Sequence, residues 1–187
     1  MPSTYQIQAS LPVLSSPVLF LAPTESFDPE NPNKSSRKTP SKVLALIKHL
    51  KDENSTSKLI VFSLFDKMLV LLEELLKDAG FINTLRLDAS TDVRKTAEMI
   101  KEFDATGPDT VLLASLKSLG GSINMTVASE VYLLEPWWNS EVEEQAIDHV
   151  HQYGQQEDVE IIRLIAENTI EERILEMQKK KLENEAS

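Results

Sequence analysis

Two kinds of segment alternate along the chain. Short apolar runs lie at Lys58–Phe62 (KLIVF), Thr84–Leu87, Thr110–Ala114 (TVLLA), Val131–Leu134 and Val159–Ile165. They are of strand length, and the run at 131–134 is too short for a buried helix and is bounded by a proline, so these segments read as core strands. Between them the apolar positions fall at helical spacing. Ser41 can cap a helix over Lys42–Lys51, with Val43, Leu44, Ile47 and Leu50 on one face. Lys67–Ala79 carries a leucine-rich face and is stopped by Gly80. A further helix covers Asp92–Phe103, preceded by Ser90 and Thr91. Residues 118–126 read as a glycine-containing turn and a short helix.

The next helix is set by Val142, Ala146, Ile147 and Val150, which share one face. Asn139 or Ser140 can cap it, Glu143 or Glu144 reinforces the first turn, and Gly154 ends it. Gln145, Asp148, His149 and Gln152 are then left to project from it. A closing helix over Thr169–Lys181 is expected to turn Ile170, Ile174, Leu175 and Met177 inward. Strand alternating with helix predicts an α/β fold with a parallel sheet and helices on both faces. Ligands of such sheets bind beyond the carboxyl ends of the strands.

Residues 1–40 break this pattern. Pro2, Pro12, Pro17, Pro23, Pro29, Pro32 and Pro40 interrupt every periodicity, and Glu25–Thr39 reads as a linker. The apolar run Val18–Leu21 reads as a strand or docking segment, with a partner-binding motif as the alternative. The expected organisation is a Pro/Ser-rich linker or docking segment over 1–40 and one folded lobe over 41–187.

Composition narrows the function classes. A chain of 187 residues that is 41% hydrophobic can bury a core and defaults to one domain. Thirty acidic against nineteen basic residues give a net charge of -11, which counts against strong DNA binding by this chain alone while leaving room for a local basic groove. There is no cysteine, hence no disulfide framework and no cysteine zinc site. No apolar run approaches the ~18 residues of a membrane span, and the opening MPSTYQIQAS has no basic and apolar signal region. An intracellular protein without a membrane partner is expected.

One run of residues says more. It reads E-P-W-W-N-S-E-V-E-E-Q-A-I-D-H-V-H-Q-Y-G-Q from Glu135 to Gln155. It resembles motif VI of the Swi/Snf-type ATPases, which are helicase-like DNA translocases and chromatin remodellers, the helicase-like transcription factor branch among them. The resemblance extends more weakly over residues 42–181. It implies the second, C-terminal RecA-like lobe of a two-lobed motor, a three-layer parallel α/β fold and a nuclear location.

The chain departs from the family at two positions. The family pattern has arginines where this chain has His149 and Gln152. In the family they reach across the lobe interface to the ATP phosphates, the second as the arginine finger. A guanidinium forks onto phosphate oxygens with a permanent charge, which a neutral imidazole and an amide do not supply. No catalytic residue is therefore intact by this resemblance.

Further matches are local. Phe62, Ser63, Leu64, Phe65 and Lys67 resemble motif IV, which assigns Ser63 and Lys67 to the DNA backbone, where donors position without reading sequence. The structural alternative is that Ser63 caps the next helix. Leu87–Thr91 with Arg94 resembles the family's L-D-G-S-T stretch, with Ala89 in place of glycine, and a helix cap with a solvated Arg94 is the plainer reading.

Ser115, Leu116 and Lys117, followed by Gly120, Gly121, Ser122, Ile123 and Asn124, resemble motif V. That assigns Ser115 and Lys117 to the DNA backbone and places Gly120 and Gly121 near the nucleotide, together with Gln145 and Asp148. Leu119 and Ser122 stand where the family has glycine, and an ordinary retained loop is the alternative. Trp137 and Trp138 read as packing at an interface, partly core. His149 and His151 lack the third and fourth ligands of a metal site, so none is expected. His151 and Arg163 match the family as structural residues.

The sequence holds no G-x-x-x-x-G-K-S/T loop and no acidic Walker B strand end. ATP and magnesium are thus expected only with an N-terminal ATPase lobe, in cis or in trans, and this chain alone is expected to be inactive. Two readings follow. In one, the chain is the C-terminal lobe of an ATP-dependent DNA translocase. In the other, it is a pseudo-ATPase lobe serving as a module for a protein partner or for weak DNA-backbone binding.

Overall fold

A computed structural model describes residues 18–21, 40–52, 57–118 and 123–185. The elements are β1 (Val18–Leu21), α1 (Ser41–Asp52), β2 (Leu59–Ser63), α2 (Asp66–Asp78), β3 (Thr84–Leu87), α3 (Val93–Ala105), β4 (Val111–Ser115), β5 (Glu130–Leu133), α4 (Ser140–Asp148), β6 (Glu160–Ala166) and α5 (Ile170–Glu185). Six strands form one sheet in the order β1-β6-β5-β2-β4-β3, and every pairing is parallel. Val18–Leu21 is the strand at one edge, with Val18 opposite Arg163. The linker stretch Glu25–Thr39 lies outside the described residues.

The sheet separates two cores. On one face α1 and α2 bring Val43, Leu46, Leu69, Leu72 and Leu76 onto Leu59, Val61, Val111 and Leu113. On the other, α3 and α4 bring Ile100, Phe103, Ala146 and Ile147 onto Ile60, Phe62, Leu112 and Ala114. Alternate side chains of one strand thus feed opposite cores, which is why β2 and β4 are buried along their whole length. The three-layer α/β arrangement expected of a RecA-like lobe is the one the chain adopts.

Local chemistry explains the helix ends that the sequence foretold. Asp92 caps α3, its carboxylate accepting from the Arg94 and Lys95 amides at 2.7 and 3.1 Å. At the end of α2, Gly80 has φ +100°, its amide bonds Lys77 O, and the Phe81 amide bonds Leu76 O. That is a Schellman motif, and it needs a residue tolerant of positive φ.

Three expectations are corrected. The helix of the 139–154 segment stops at Asp148 with His149 as its cap, and residues 149–154 are turn and bend. The apolar period continues through Val150, but Val150 reaches the core from a turn, its amide on Ile147 O at 2.9 Å. The Met125 amide takes the His149 carbonyl at 2.8 Å, so tertiary pairing ends the helix six residues before Gly154.

In α5, Leu175 is buried, but Ile170 and Met177 are 64% and 55% exposed, and the residue turned fully inward is Gln178. A polar network selects that face, as described below. Finally, no helix forms among the described residues of 118–126. Residues 116–118 are turn, 123–125 carry no regular structure, and 119–122 lie outside the described set.

Candidate functional site

All strands of a parallel sheet end on one edge, and their loops there form the usual ligand face. Along that edge the sheet order brings together the loops after β6, β5, β2, β4 and β3. Their side chains form a connected polar system. The Ser63 hydroxyl donates to the Glu135 carboxylate at 3.0 and 3.2 Å and accepts from the Phe65 amide at 3.1 Å. The Leu64 amide also donates to Glu135, at 3.1 Å. Burial pushes the Glu135 carboxyl above the usual carboxylate range, against the opposing pull of the Leu64 amide, Ser63 and the Lys42 ammonium. Lys42 donates to Leu134 O at 2.7 Å and pairs with Glu171 at 2.5 Å, and Glu171 accepts from the Ala166 amide at 2.9 Å.

This bears on the expected DNA-backbone residues. Ser63 and its register partner Ser115 are both fully buried. Ser63 is bound to Glu135 and does not cap α2, whose N-cap is Phe65 with no side-chain bond. The Ser115 Oγ has no partner among the described residues. Neither hydroxyl is offered to solvent, whereas Lys67 and Lys117 are exposed past the ends of adjacent strands. Arg94 is exposed on α3, in keeping with a solvated role.

The positions assigned to the nucleotide divide in the same way. Gln145 and Asp148 are exposed on the last turn of α4, and Gln152 is exposed in the turn beyond. His149 does not project with them, since it is only 4% exposed. Its Nδ1 lies 2.9 Å from Ile123 O, so Nδ1 carries the proton and donates. Its Nε2 is buried and unpartnered among the described residues. With the Met125 amide on its carbonyl, His149 clamps residues 123–125 to the end of α4 from side chain and backbone alike.

Gly120 and Gly121 lie outside the described residues. Two amides beside one carboxylate, with no guanidinium among them, do not by themselves fit a triphosphate with magnesium. Among the described residues no three His, Asp or Glu side chains gather as a metal site. His151 stands exposed.

The loop carrying Trp137 and Trp138 is held by a network that the sequence reading missed. Glu143, Arg163 and Gln178 are 0, 2 and 1% exposed. The Trp137 amide donates to Glu143 Oε1 at 2.6 Å, and Gln178 Nε2 donates both to Trp137 O and, at 3.0 Å, to Glu143 Oε1. Arg163 Nη2 lies 2.7 Å from Glu143 Oε2. Burial lowers the affinity of Arg163 for its proton, and the Glu143 and Glu144 charges oppose that. Trp137 packs against the core while Trp138 is 64% exposed, the ring centroids 6.2 Å apart. The signal in the sequence was an arginine inside the apolar strand Glu160–Ala166, which must find a buried partner.

This parallel three-layer sheet, with helices on both faces, is the architecture of a RecA-like α/β lobe. The chain belongs to the helicase conserved C-terminal domain family, whose model matches residues 41–154. Within it the chain is of the Swi/Snf type. It is 51% identical, over 87% of its length, to an Arabidopsis thaliana protein provisionally named SWI/SNF-related matrix-associated actin-dependent regulator of chromatin subfamily A member 3-like 1. It is 38% identical over 81% of its length to the DNA repair protein RAD5 of Candida albicans. Among solved structures, the C-terminal part of the Fun30 ATPase domain is similar at TM-score 0.69 and 30% identity, covering 77% of this chain and 46% of that one. The chain spans only 19% and 14% of the two curated relatives.

Proposed function

We propose that this chain is the C-terminal motor lobe of a Swi/Snf-type ATP-dependent DNA translocase or chromatin remodeller. It works with a separate N-terminal ATPase lobe, in cis or in trans, that brings the nucleotide-cradling loop, ATP and magnesium. The observation that carries this is the strand-end edge, where exposed Lys67 and Lys117 follow the adjacent strands β2 and β4 beside the Trp137–Trp138 loop. Lys67 and Lys117 contact the DNA backbone weakly, against a net charge of -11. Relatives named as chromatin regulators and DNA repair proteins support a nuclear site of action.

A second reading has its own support in the buried His149. An imidazole turned onto Ile123 O is not a phosphate ligand, which favours a pseudo-ATPase lobe kept as a protein-interaction or weak DNA-binding module.

The test pairs this chain with the N-terminal lobe of a relative and measures ATP hydrolysis with and without DNA. DNA-stimulated turnover that needs both lobes is expected, with the isolated chain at blank. Turnover by the isolated chain that survives repurification refutes the two-lobe requirement. Stable pairing with no turnover transfers the assignment to the pseudo-ATPase reading.

A further inference from the structure

We infer that Glu135 is a positioning residue for the turn from Ser63 to Lys67, capping α2 from across the sheet and so setting where Lys67 stands on the strand-end edge. That Lys67 meets DNA there rests on the proposed function, whereas the capping does not.

A helix start is ordinarily fixed by its own N-cap side chain, a serine, threonine, aspartate or asparagine that accepts one of the free first-turn amides. In α2 the N-cap is Phe65, which has no such bond, and its ring is 56% exposed. Yet Phe65 O accepts the Met68 and Leu69 amides at 2.9 and 3.2 Å, so the direction of the first turn follows the Phe65 peptide. That peptide is held from residue 135. The Phe65 amide donates to Ser63 Oγ at 3.1 Å, and the Ser63 hydroxyl in turn donates to Glu135 at 3.0 Å. The Leu64 amide donates to the same carboxylate oxygen at 3.1 Å. One carboxylate, seventy-two residues from Ser63, thus fixes three consecutive residues, and the exposed Lys67 lies two residues further on.

Glu135 is 9% exposed, and the charged groups that bear on it are Lys42 from α1 and Glu171 from α5. A buried carboxylate is a costly cap where a polar N-cap side chain in water would serve α2 alone. What it adds is register between loops. It ties the end of β2 to the end of β5, and Ser63 O accepts the Leu116 amide at 3.0 Å, next to Lys117 in the loop after β4. The tie to the loop after β3, the Ala89 amide on Asp66, is longer at 3.4 Å.

The first arm titrates the full 187-residue chain with a short DNA duplex of mixed sequence. Salt is varied between about 50 and 200 mM. Lys67→Ala is expected to flatten the log–log salt slope of the parent by about 0.9. In a Glu135→Ala background it should leave the slope unchanged. In Glu135→Gln, which keeps an acceptor oxygen for Ser63 and Leu64, the flattening of about 0.9 should return. Both substitutions remove the same charge, so the contrast isolates the hydrogen bonds. An undiminished Lys67 effect in Glu135→Ala overturns the positioning, as does loss of that effect in both backgrounds. Circular dichroism confirms folding. Should Glu135→Ala not fold, Ser63→Ala replaces it with the same outcomes, since it removes only the hydroxyl between Glu135 and the Phe65 amide.

The second arm is hydrogen exchange of the Leu64 and Phe65 amides. Protection of both in the parent, and exchange of the Phe65 amide faster by about tenfold in Ser63→Ala, are expected. Rapid exchange in the parent, or an unchanged rate in the variant, overturns the capping. If Lys67→Ala leaves the parent's slope unchanged, or the chain does not bind the duplex, the proposed DNA role of Lys67 fails, while this arm still decides the capping.

Discussion

Arginine placed at Gln152, at His149 and at both separates a phosphate-facing position from a structural one. Gln152 is exposed in the turn after α4, so Gln152→Arg changes stability by no more than about 0.5 kcal/mol. His149 is different. Its ring is buried and donates to Ile123 O at 2.9 Å. An arginine there either leaves its guanidinium in a space with no partner for it or swings outward and strips Ile123 O of its donor. The lost bond alone costs roughly 1–3 kcal/mol. For a domain of this size that lowers the melting temperature by ~2–12 °C.

The two positions also fail to share a helical face, because α4 ends at Asp148. In lobes paired with a functional N-terminal partner, Gln152→Arg should recover part of the ~10³–10⁵-fold that arginine fingers contribute. His149→Arg alone should recover little, and the double variant should gain less than the fingers' full contribution. The assays are thermal denaturation of the chain and steady-state ATP hydrolysis of the paired lobes with DNA saturating. If His149→Arg melts like the parent and gains as much as Gln152→Arg, the imidazole is not a clamp. If the parent already turns over at a family-like rate, neither position is a defect.

Glu135→Gln should become progressively more stable than the parent as pH rises. The folded carboxyl is raised by burial, so its favourable contribution is complete below the unfolded glutamate value, about 4.3, and is lost as pH climbs through the folded value. Denaturant melts from pH 4 to pH 8, about the glutamate range, would refute this by a flat difference. Lys58→Met removes an ammonium bound at 2.7 Å to both Phe103 O and Asp104 O at the end of α3, and should cost about 1–2 kcal/mol in the same melts. Gly80→Ala has open space for its methyl but φ +100°, so a loss of about 1 kcal/mol from strain alone is expected, and no loss would contradict the Schellman assignment. DNA affinity should be weak and steeply salt-dependent, and Lys67→Ala should flatten the log–log salt slope by about 0.9 if Lys67 meets one phosphate.

Much of the fold follows from the sequence alone. Runs such as LIVFS and VLLAS have no polar face, so they must be central strands covered on both sides, and helical segments between them force parallel crossovers. Gly80 and Asp92 mark helix ends by chemistry that acts within a few residues. The run from Glu135 to Gln155 is specific enough to indicate the family from sequence alone. What tertiary structure decided lies where one side chain must choose between solvent and a distant partner. Periodicity carries the helix through Val150, but the claim of Ile123 and Met125 on His149 ends it at Asp148. Ile170 and Met177 look like core positions until Gln178 is drawn inward by Trp137 and Glu143. Ser63 looks like a phosphate donor until Glu135, seventy-two residues on, accepts its hydrogen bond. Hydrophobic spacing encodes which face of an element is buried on average. It is silent on hydrogen bonds between residues far apart in sequence, because those depend on the register and rotation that packing alone sets.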